Sequence, residues 1–282
     1  MSLQQFDTVS SLRDCVRSWR RQGARIGFVP TMGNLHAGHL SLVERARRDC
    51  DKVVASVFVN PSQFNQADDF ERYPRTLDAD RNMLDAAQAD ALFAPHTREV
   101  YPQGHENMAI VEVPKISEPL CGRFRPGHFR GVATVVTKLF NMVQPDVAFF
   151  GEKDFQQLLV IRKLTTDLCF PIEIVGVATM REESGLAMSS RNRYLNNEER
   201  QQASEIYAVL SQIKHAVDNG SQDFLGLCEQ GGGRLEKAGF KVEYLGVYDA
   251  QTLADADAQS SFKVIAVAAW LGTARLIDNI HI

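Results

Sequence analysis

Two histidines three residues apart, His36 and His39, flank Gly38 in the run Pro30-Thr31-Met32-Gly33-Asn34-Leu35-His36-Ala37-Gly38-His39. The run joins an apolar stretch of strand length to a segment of helical period. At a helix start, a spacing of three lets both imidazoles face one side. The start also offers N–H groups and the positive end of the helix dipole, which suit a phosphate. Gly33 permits a turn, and Gly38 lets a nucleotide approach the backbone closely. The competing reading is a pair of capping or surface histidines beside a turn glycine. Zinc is disfavoured, because no third ligand stands at a sensible spacing.

Three further runs carry polar groups just after apolar stretches. In Gly151-Glu152-Lys153-Asp154-Phe155-Gln156-Gln157, Lys153 can bring positive charge to a phosphate. Asp154 can cap a helix or accept from ribose hydroxyls, and Gln157 presents an amide that both donates and accepts. In Met188-Ser189-Ser190-Arg191-Asn192, two hydroxyls and a guanidinium form a clamp for nucleotide phosphates. In Phe58-Val59-Asn60-Pro61-Ser62-Gln63-Phe64, an amide beside an aromatic suits a small polyol-carboxylate. Taken singly, these three read equally as a capped helix start, a helix N-cap region and a strand-terminating turn.

The elements that position these residues follow from hydrophobic periodicity. Residues 25–30, 52–59, 91–94, 147–150 and 172–178 are apolar at nearly every position and read as buried strands. Between them, 40–49, 76–89, 128–144 and 154–168 read as helices. Leu77, Met83 and Leu84 lie on the apolar side of the second, and Val132, Val135, Val136, Leu139, Phe140 and Val143 form the stripe of the third. Strands apolar on both faces and separated by helices indicate a parallel sheet covered on each side. The expected fold is therefore α/β, a Rossmann-like doubly wound parallel sheet, with ligands beyond the carboxyl ends of the strands. The polar runs stand at those ends. After residue 190 the texture changes. A long polar helix over 196–218, a helix over 221–238 despite Gly231-Gly232-Gly233, and strands over 241–248, 264–270 and 274–280 predict a smaller α+β domain. The expected division is 1–180 and 181–282.

With 282 residues, 44% apolar and 23% charged, the chain has ordinary globular composition and length enough for a large core. A net charge of −4 gives no overall pull toward nucleic acid or an anionic membrane. No stretch approaches the roughly 18 apolar residues of a membrane span, and the N-terminus lacks a basic segment followed by an apolar run. Cys15, Cys50, Cys121, Cys169 and Cys228 are scattered, with no C-x-x-C pair, which fits reduced thiols in a cytoplasm.

H-x-G-H after a first buried strand resembles the nucleotide-binding signature of the adenylyl- and cytidylyl-transfer superfamily. Together, P-T-M-G-N-L-H-A-G-H, V-F-V-N-P-S-Q-F, R-P-G-H-F-R-G-V, F-F-G-E-K-D-F-Q-Q, G-L-A-M-S-S-R-N and the closing L-G-T-A-R-L-I-D-N-I resemble the pantothenate synthetase family in order and spacing. The resemblance spans nearly the whole chain. It implies ATP-dependent condensation of pantoate with β-alanine through an acyl-adenylate, with Mg²⁺, in a homodimer whose smaller domain acts as a lid. It implies that Met32, Gly33, Asn34, Leu35, His36, Ala37, Gly38 and His39 line the ATP site. Gly151, Glu152, Lys153 and Asp154 would hold ribose and phosphate, and Met180 would contact adenine. Met188, Ser189, Ser190 and Arg191 would grip phosphates. His36, His39, Lys153 and Arg191 are the implied catalytic set, and Gln63, Gln157 and Asn60 the implied pocket for pantoate and β-alanine. Metal ligands are not identified. Ser184-Gly185 departs from the family's usual Asp before that glycine, and Thr273-Ala274 from its usual pair. Two rivals are a nucleotidyltransferase acting on a phosphorylated alcohol and a non-catalytic nucleotide sensor or RNA binder. The first needs an Arg/Lys pair where Gln63 and Gln157 stand. The second is opposed by the negative net charge and the intact phosphate motifs.

Overall fold

The computed structural model describes residues 3–64, 70–71, 73–257 and 259–282; Met1 and Ser2 of the N-terminal segment lie outside them. The chain divides into two compact units. The first comprises residues up to Ser117, Arg125–Glu152 and Gln157–Ala178, and the second comprises Glu118–Phe124, Lys153–Gln156 and Thr179–Ile282. Two short segments from the first two-thirds of the sequence thus group with the C-terminal unit.

In the first unit, β1 (Gln4–Phe6), β2 (Ile26–Thr31), β3 (Lys52–Val57), β4 (Ala91–Phe93), β5 (Val147–Gly151) and β6 (Glu173–Val177) form one sheet in the order β1-β4-β3-β2-β5-β6. Every strand pair in it is parallel. The central strands are buried almost throughout because helices cover both faces. On one face α2 (Ala37–Asp49) packs Leu42, Val43 and Ala46 against Val29, Val53, Ala55 and Phe149. On the other, α6 (His128–Val143) sets Phe140 edge-on to Phe28 at 6.5 Å and to Phe150 at 6.4 Å. From β2 the chain proceeds to β3 on one side, and it later returns to β5 on the other. The winding therefore reverses between β2 and β5, and the crevice above their carboxyl ends is the ligand position of such sheets.

Further helices described in this unit are α1 (Val9–Arg21), α3 (Leu77–Ala86), the short α4 (Thr97–Val100) and most of α7 (Phe155–Asp167). The sequence reading did not include α1, although Leu12, Val16 and Trp19 are its buried stripe. It placed Leu77, Met83 and Leu84 inward on α3, but only Leu84 is buried, while Leu77 and Met83 are exposed. The inward polar position is Asp80, which is 1% exposed. The strand expected over 52–59 ends at Val57, where the backbone turns toward a 3₁₀ turn at Pro61–Gln63 capped by Asn60.

In the second unit, β7 (Lys241–Asp249), β8 (Lys263–Leu271) and β9 (Ala274–His281) form an antiparallel sheet in that order. The short α5 (Cys121–Phe124) also belongs here. The single helix expected over 196–218 is two helices, α8 (Asn197–Gln202) and α9 (Glu205–Asp218). Asn196 and Glu199 close a capping box at the start of α8, and Ala203 and Ser204 interrupt the helical run. The second helix is not polar throughout, because Ile206, Val209, Leu210 and Ile213 enter the core with Val267, Ala269 and Leu276 of the sheet. α10 (Phe224–Lys237) passes through all three glycines. A Cβ on Gly231 would stand 2.8 Å from a methyl of Val209, so α9 and α10 meet closely there, whereas Cβ atoms on Gly232 and Gly233 would meet nothing.

Candidate active site

The loop from β2 into α2 is shaped by two consecutive left-handed residues, Gly33 (φ 79°) and Asn34 (φ 53°). Gly33 is required twice over, since a Cβ there would also lie 2.9 Å from Asp80 Oδ2 and from a Val57 methyl. Asp80 accepts from the main-chain N–H groups of Asn34 (2.9 Å) and Leu35 (2.8 Å) and from the Thr76 hydroxyl (3.1 Å). The Gly33 N–H donates to Thr31 Oγ1, whose hydroxyl donates to the carbonyl of Ser56 on β3. A cavity of about 250 Å³ opens at this end of the sheet, with Met32, Gly33, Phe58 and Asp80 in its wall.

His36 caps α2 through its own ring, with Nδ1 accepting from the Gly38 N–H at 3.1 Å. That bond places the ring proton of neutral His36 on Nε2. The His39 ring lies against it, with centroids 4.1 Å apart, so the i, i+3 spacing brings both imidazoles together. One expectation is corrected here. The helix start was read as a set of N–H groups open to phosphate, but that of Gly38 is taken by His36 Nδ1 and those of His39 and Leu40 by the His36 carbonyl.

The Asn60–Gln63 turn is buried against α6. Asn60 is 1% and Gln63 8% exposed. Asn60 Oδ1 accepts from the hydroxyls of Tyr101 (2.7 Å) and Ser62 (2.9 Å) and from the Ser62 N–H, while its Nδ2 donates to Gln63 Oε1 (3.0 Å) and to the Gly131 carbonyl (3.3 Å). His128 Nδ1 bonds the Gln63 carbonyl at 2.9 Å. Gly131 is obligatory, because a Cβ would collide with the carbonyl of Ser62. Burial pushes the Tyr101 phenol up from its ordinary pKa, a shift partly opposed by its bond to Ser62, so it stays a donor through neutral pH. Asn60, implied as a substrate contact, is thus engaged with protein groups at both ends of its amide. At the end of β5, the Glu152 carboxylate folds over Gly176 of β6, leaving 3.0 Å to a Cβ built there. Gln157 lies half-buried on α7.

The second unit carries the remaining implied residues. Residues 180–188 form a hairpin, with the Met188 N–H donating to the Met180 carbonyl at 2.9 Å and a bridge between Arg181 and Ala187. Arg181 forks onto Asp278 (2.5 and 2.9 Å) and stacks 4.0 Å over Tyr207. At the hairpin tip Gly185 has φ 88°, and Ser184 Oγ accepts from the Leu186 N–H, closing the turn. Ser189 caps the 3₁₀ turn Ser190–Tyr194 by accepting from the Arg191 N–H at 3.2 Å. Buried Asn192 pins that turn to the hairpin through Glu182 and the Ala187 carbonyl. Lys153 and Ser189 line one recess with Tyr207 and Asp278, and the Lys153 carbonyl accepts from Asn279. Met180 is exposed.

Asp80, Tyr101, His128, Arg181 and Asn192 were given no role from sequence. His128 and Gly131 stand in the quoted R-P-G-H-F-R-G-V run and were findable there; Asp80 and Tyr101 carry no local signal.

Comparison with known proteins identifies the family. Residues 4–281 match the family model described as Pantoate-beta-alanine ligase. A pantothenate synthetase of Alcanivorax borkumensis is 51% identical over 280 residues, covering 99% of this chain and 98% of that protein. The crystal structure of the pantothenate synthetase of Thermus thermophilus superposes with a TM-score of 0.92 at 45% identity, covering 99% of both chains. That of a Francisella tularensis pantoate-beta-alanine ligase, complexed with beta-gamma ATP and beta-alanine, gives 0.84 at 34% identity over 99% of this chain and 97% of that one.

Proposed function

The chain belongs to the pantoate–β-alanine ligase family and joins pantoate to β-alanine, and from that premise we propose that it does so through a pantoyl-adenylate made from ATP. A carboxylate resists attack by an amine at neutral pH because its oxide is a poor leaving group. Attack of the pantoate carboxylate on the α-phosphorus of ATP forms a mixed anhydride and expels pyrophosphate. The free amine of β-alanine then attacks the acyl carbon, and AMP departs with the C–O bond electrons. No side chain need become covalently attached.

The observation that carries this reading is the histidine pair after β2, its rings in contact at the carboxyl end of the sheet where the winding reverses. In it His36 and His39 stabilise the phosphates, and Lys153, Ser189, Ser190 and Arg191 receive the charge that develops on the departing pyrophosphate. Asp154 and the main chain at Gly151 hold the ribose, Met180 meets the adenine, and Gln63 and Gln157 bind pantoate. Among the described residues no cluster of three or more His, Cys, Asp or Glu side chains is arranged to hold a metal. Mg²⁺ would accompany ATP, held chiefly by its phosphates. Among the described residues no helix is long and apolar enough to cross a membrane. A cytoplasmic homodimer is the state the resemblance implies.

Product analysis tests the reading. One AMP and one pyrophosphate should appear for each pantothenate formed. ADP and phosphate instead would mean an acyl-phosphate route and would refute it.

A further inference from the structure

We infer that Tyr101, acting through Asn60, fixes the amide of Gln63 so that its NH₂ end faces the substrate, which makes Tyr101 a positioning residue for carboxylate recognition. The inference rests on the reading that Gln63 contacts pantoate.

The orientation follows from groups whose hydrogen-bond roles cannot change. The Ser62 main-chain N–H can only donate, and it points at Asn60 Oδ1 (3.4 Å). The Gly131 carbonyl can only accept, and it faces Asn60 Nδ2 (3.3 Å). These two fix which end of the Asn60 amide is oxygen, independently of how the amide is drawn. The Tyr101 hydroxyl, donating to Oδ1 at 2.7 Å, is the shortest bond in the set and holds the amide from the far side. With Oδ1 so occupied, Nδ2 is what Asn60 presents to Gln63 at 3.0 Å, so the Gln63 atom facing it must be the acceptor Oε1. A flipped Gln63 would set two NH₂ groups against each other inside a buried turn. The Gln63 carbonyl is meanwhile held by His128, so the backbone beneath the amide is fixed as well.

Gln63 Nε2 therefore points away from Asn60 and toward the β2 loop, where its neighbour is the weak acceptor Met32 Sδ at 3.1 Å. A substrate atom meeting that end must accept a hydrogen bond. The carboxylate of a hydroxy-acid does so with either oxygen. This narrows the dual donor-and-acceptor role that the residue type alone allows. It also assigns recognition of the substrate hydroxyl as a donor to some other group.

The test is a double-mutant cycle read as KM for pantoate and for ATP in pantoate-dependent pyrophosphate release. Tyr101→Phe removes one hydroxyl and should raise the pantoate KM roughly five- to ten-fold, the loss expected for one buried neutral hydrogen bond. The KM for ATP should not change. In a Gln63→Ala background Tyr101→Phe should add nothing, because its effect passes through Gln63. Gln63→Glu should be worse than Gln63→Ala, since it turns a carboxylate oxygen toward the substrate's carboxylate. Equal losses from Tyr101→Phe in both backgrounds, no loss in either, or a Gln63→Glu enzyme better than Gln63→Ala would overturn the inference while leaving Gln63 as a contact. An unchanged pantoate KM in Gln63→Ala would instead remove Gln63 from the pantoate site. Should Tyr101→Phe fail to fold, Asn60→Asp keeps the acceptor for Tyr101 and deletes the donor to Gln63. It should show the same confinement to pantoate and the same dependence on Gln63, and its failure to do so overturns the proposal equally.

Discussion

Asp80 reaches across 46 positions of sequence to hold the two N–H groups that set the left-handed turn at Gly33 and Asn34. Nothing about an aspartate in a polar helix announces such a partner, so the sequence offers it only as a solvated charge. His36 and His39 are the opposite case, because type, spacing and the neighbouring glycine are all local. Even so, the sequence misjudged what the histidines leave open. A ring that caps its own helix looks, as a string of residues, the same as one that leaves the helix start to a phosphate. Asp80→Ala should leave the buried N–H of Leu35 without an acceptor, at about 1–3 kcal/mol, and the half-buried one of Asn34 at less. Urea denaturation should show the loss of stability, and the KM for ATP should rise as the loop relaxes. A variant as stable as the parent would mean that the loop holds its shape without the carboxylate.

β2 to β5 were legible because burial on both faces leaves an apolar residue at nearly every position, a pattern that a surface element does not produce. The edge strand β6 was read as well, whereas β1, whose Gln4 and Gln5 are exposed, was not. α1 was less legible, as its Leu12, Val16 and Trp19 are set among serines and arginines. The break between α8 and α9 was hidden because Ala203 and Ser204, where it falls, are ordinary helix residues with no local stop signal. The run Gly231-Gly232-Gly233 in α10 was read as a weakness in a helix, yet of these three only Gly231 has a packing reason. Gly232→Ala and Gly233→Ala should each raise stability by up to about 1 kcal/mol, the helix-propensity difference. Gly231→Ala should lower stability, because its methyl meets Val209 and the two helices must part. Thermal unfolding of the three variants checks this, and a Gly231→Ala protein that melts higher than the parent would contradict the close crossing of the helices.

Across the whole molecule, the helix-flanked parallel sheet and the smaller sheet-and-helix part were legible as fold class, whereas nothing along the sequence groups residues 118–124 and 153–156 with the second unit. Periodicity reads neighbours along the chain, whereas Gln156 joins its unit by clasping the Pro119 carbonyl and the Cys121 N–H. The cysteines report on the packing of both units. Burial pushes the thiols of Cys50 and Cys228 up to about 11, whereas Cys169 is exposed. At pH 8 the half-buried Cys50 and the buried Cys228 therefore stay protonated, so iodoacetamide should label exposed Cys169 ahead of them in the folded protein. Early labelling of Cys228, identified by peptide mapping, would mean that the core beneath the antiparallel sheet opens readily.

The central claim is that pantoate is activated before β-alanine is needed. Isotope exchange between labelled pyrophosphate and ATP measures the first half-reaction alone, because only reversal of adenylate formation returns label to ATP. With ATP and pantoate present and β-alanine withheld, the account predicts exchange that depends on pantoate and stops when pantoate is omitted. Exchange that appears only after β-alanine is added, in an enzyme that makes pantothenate at its normal rate, would contradict it.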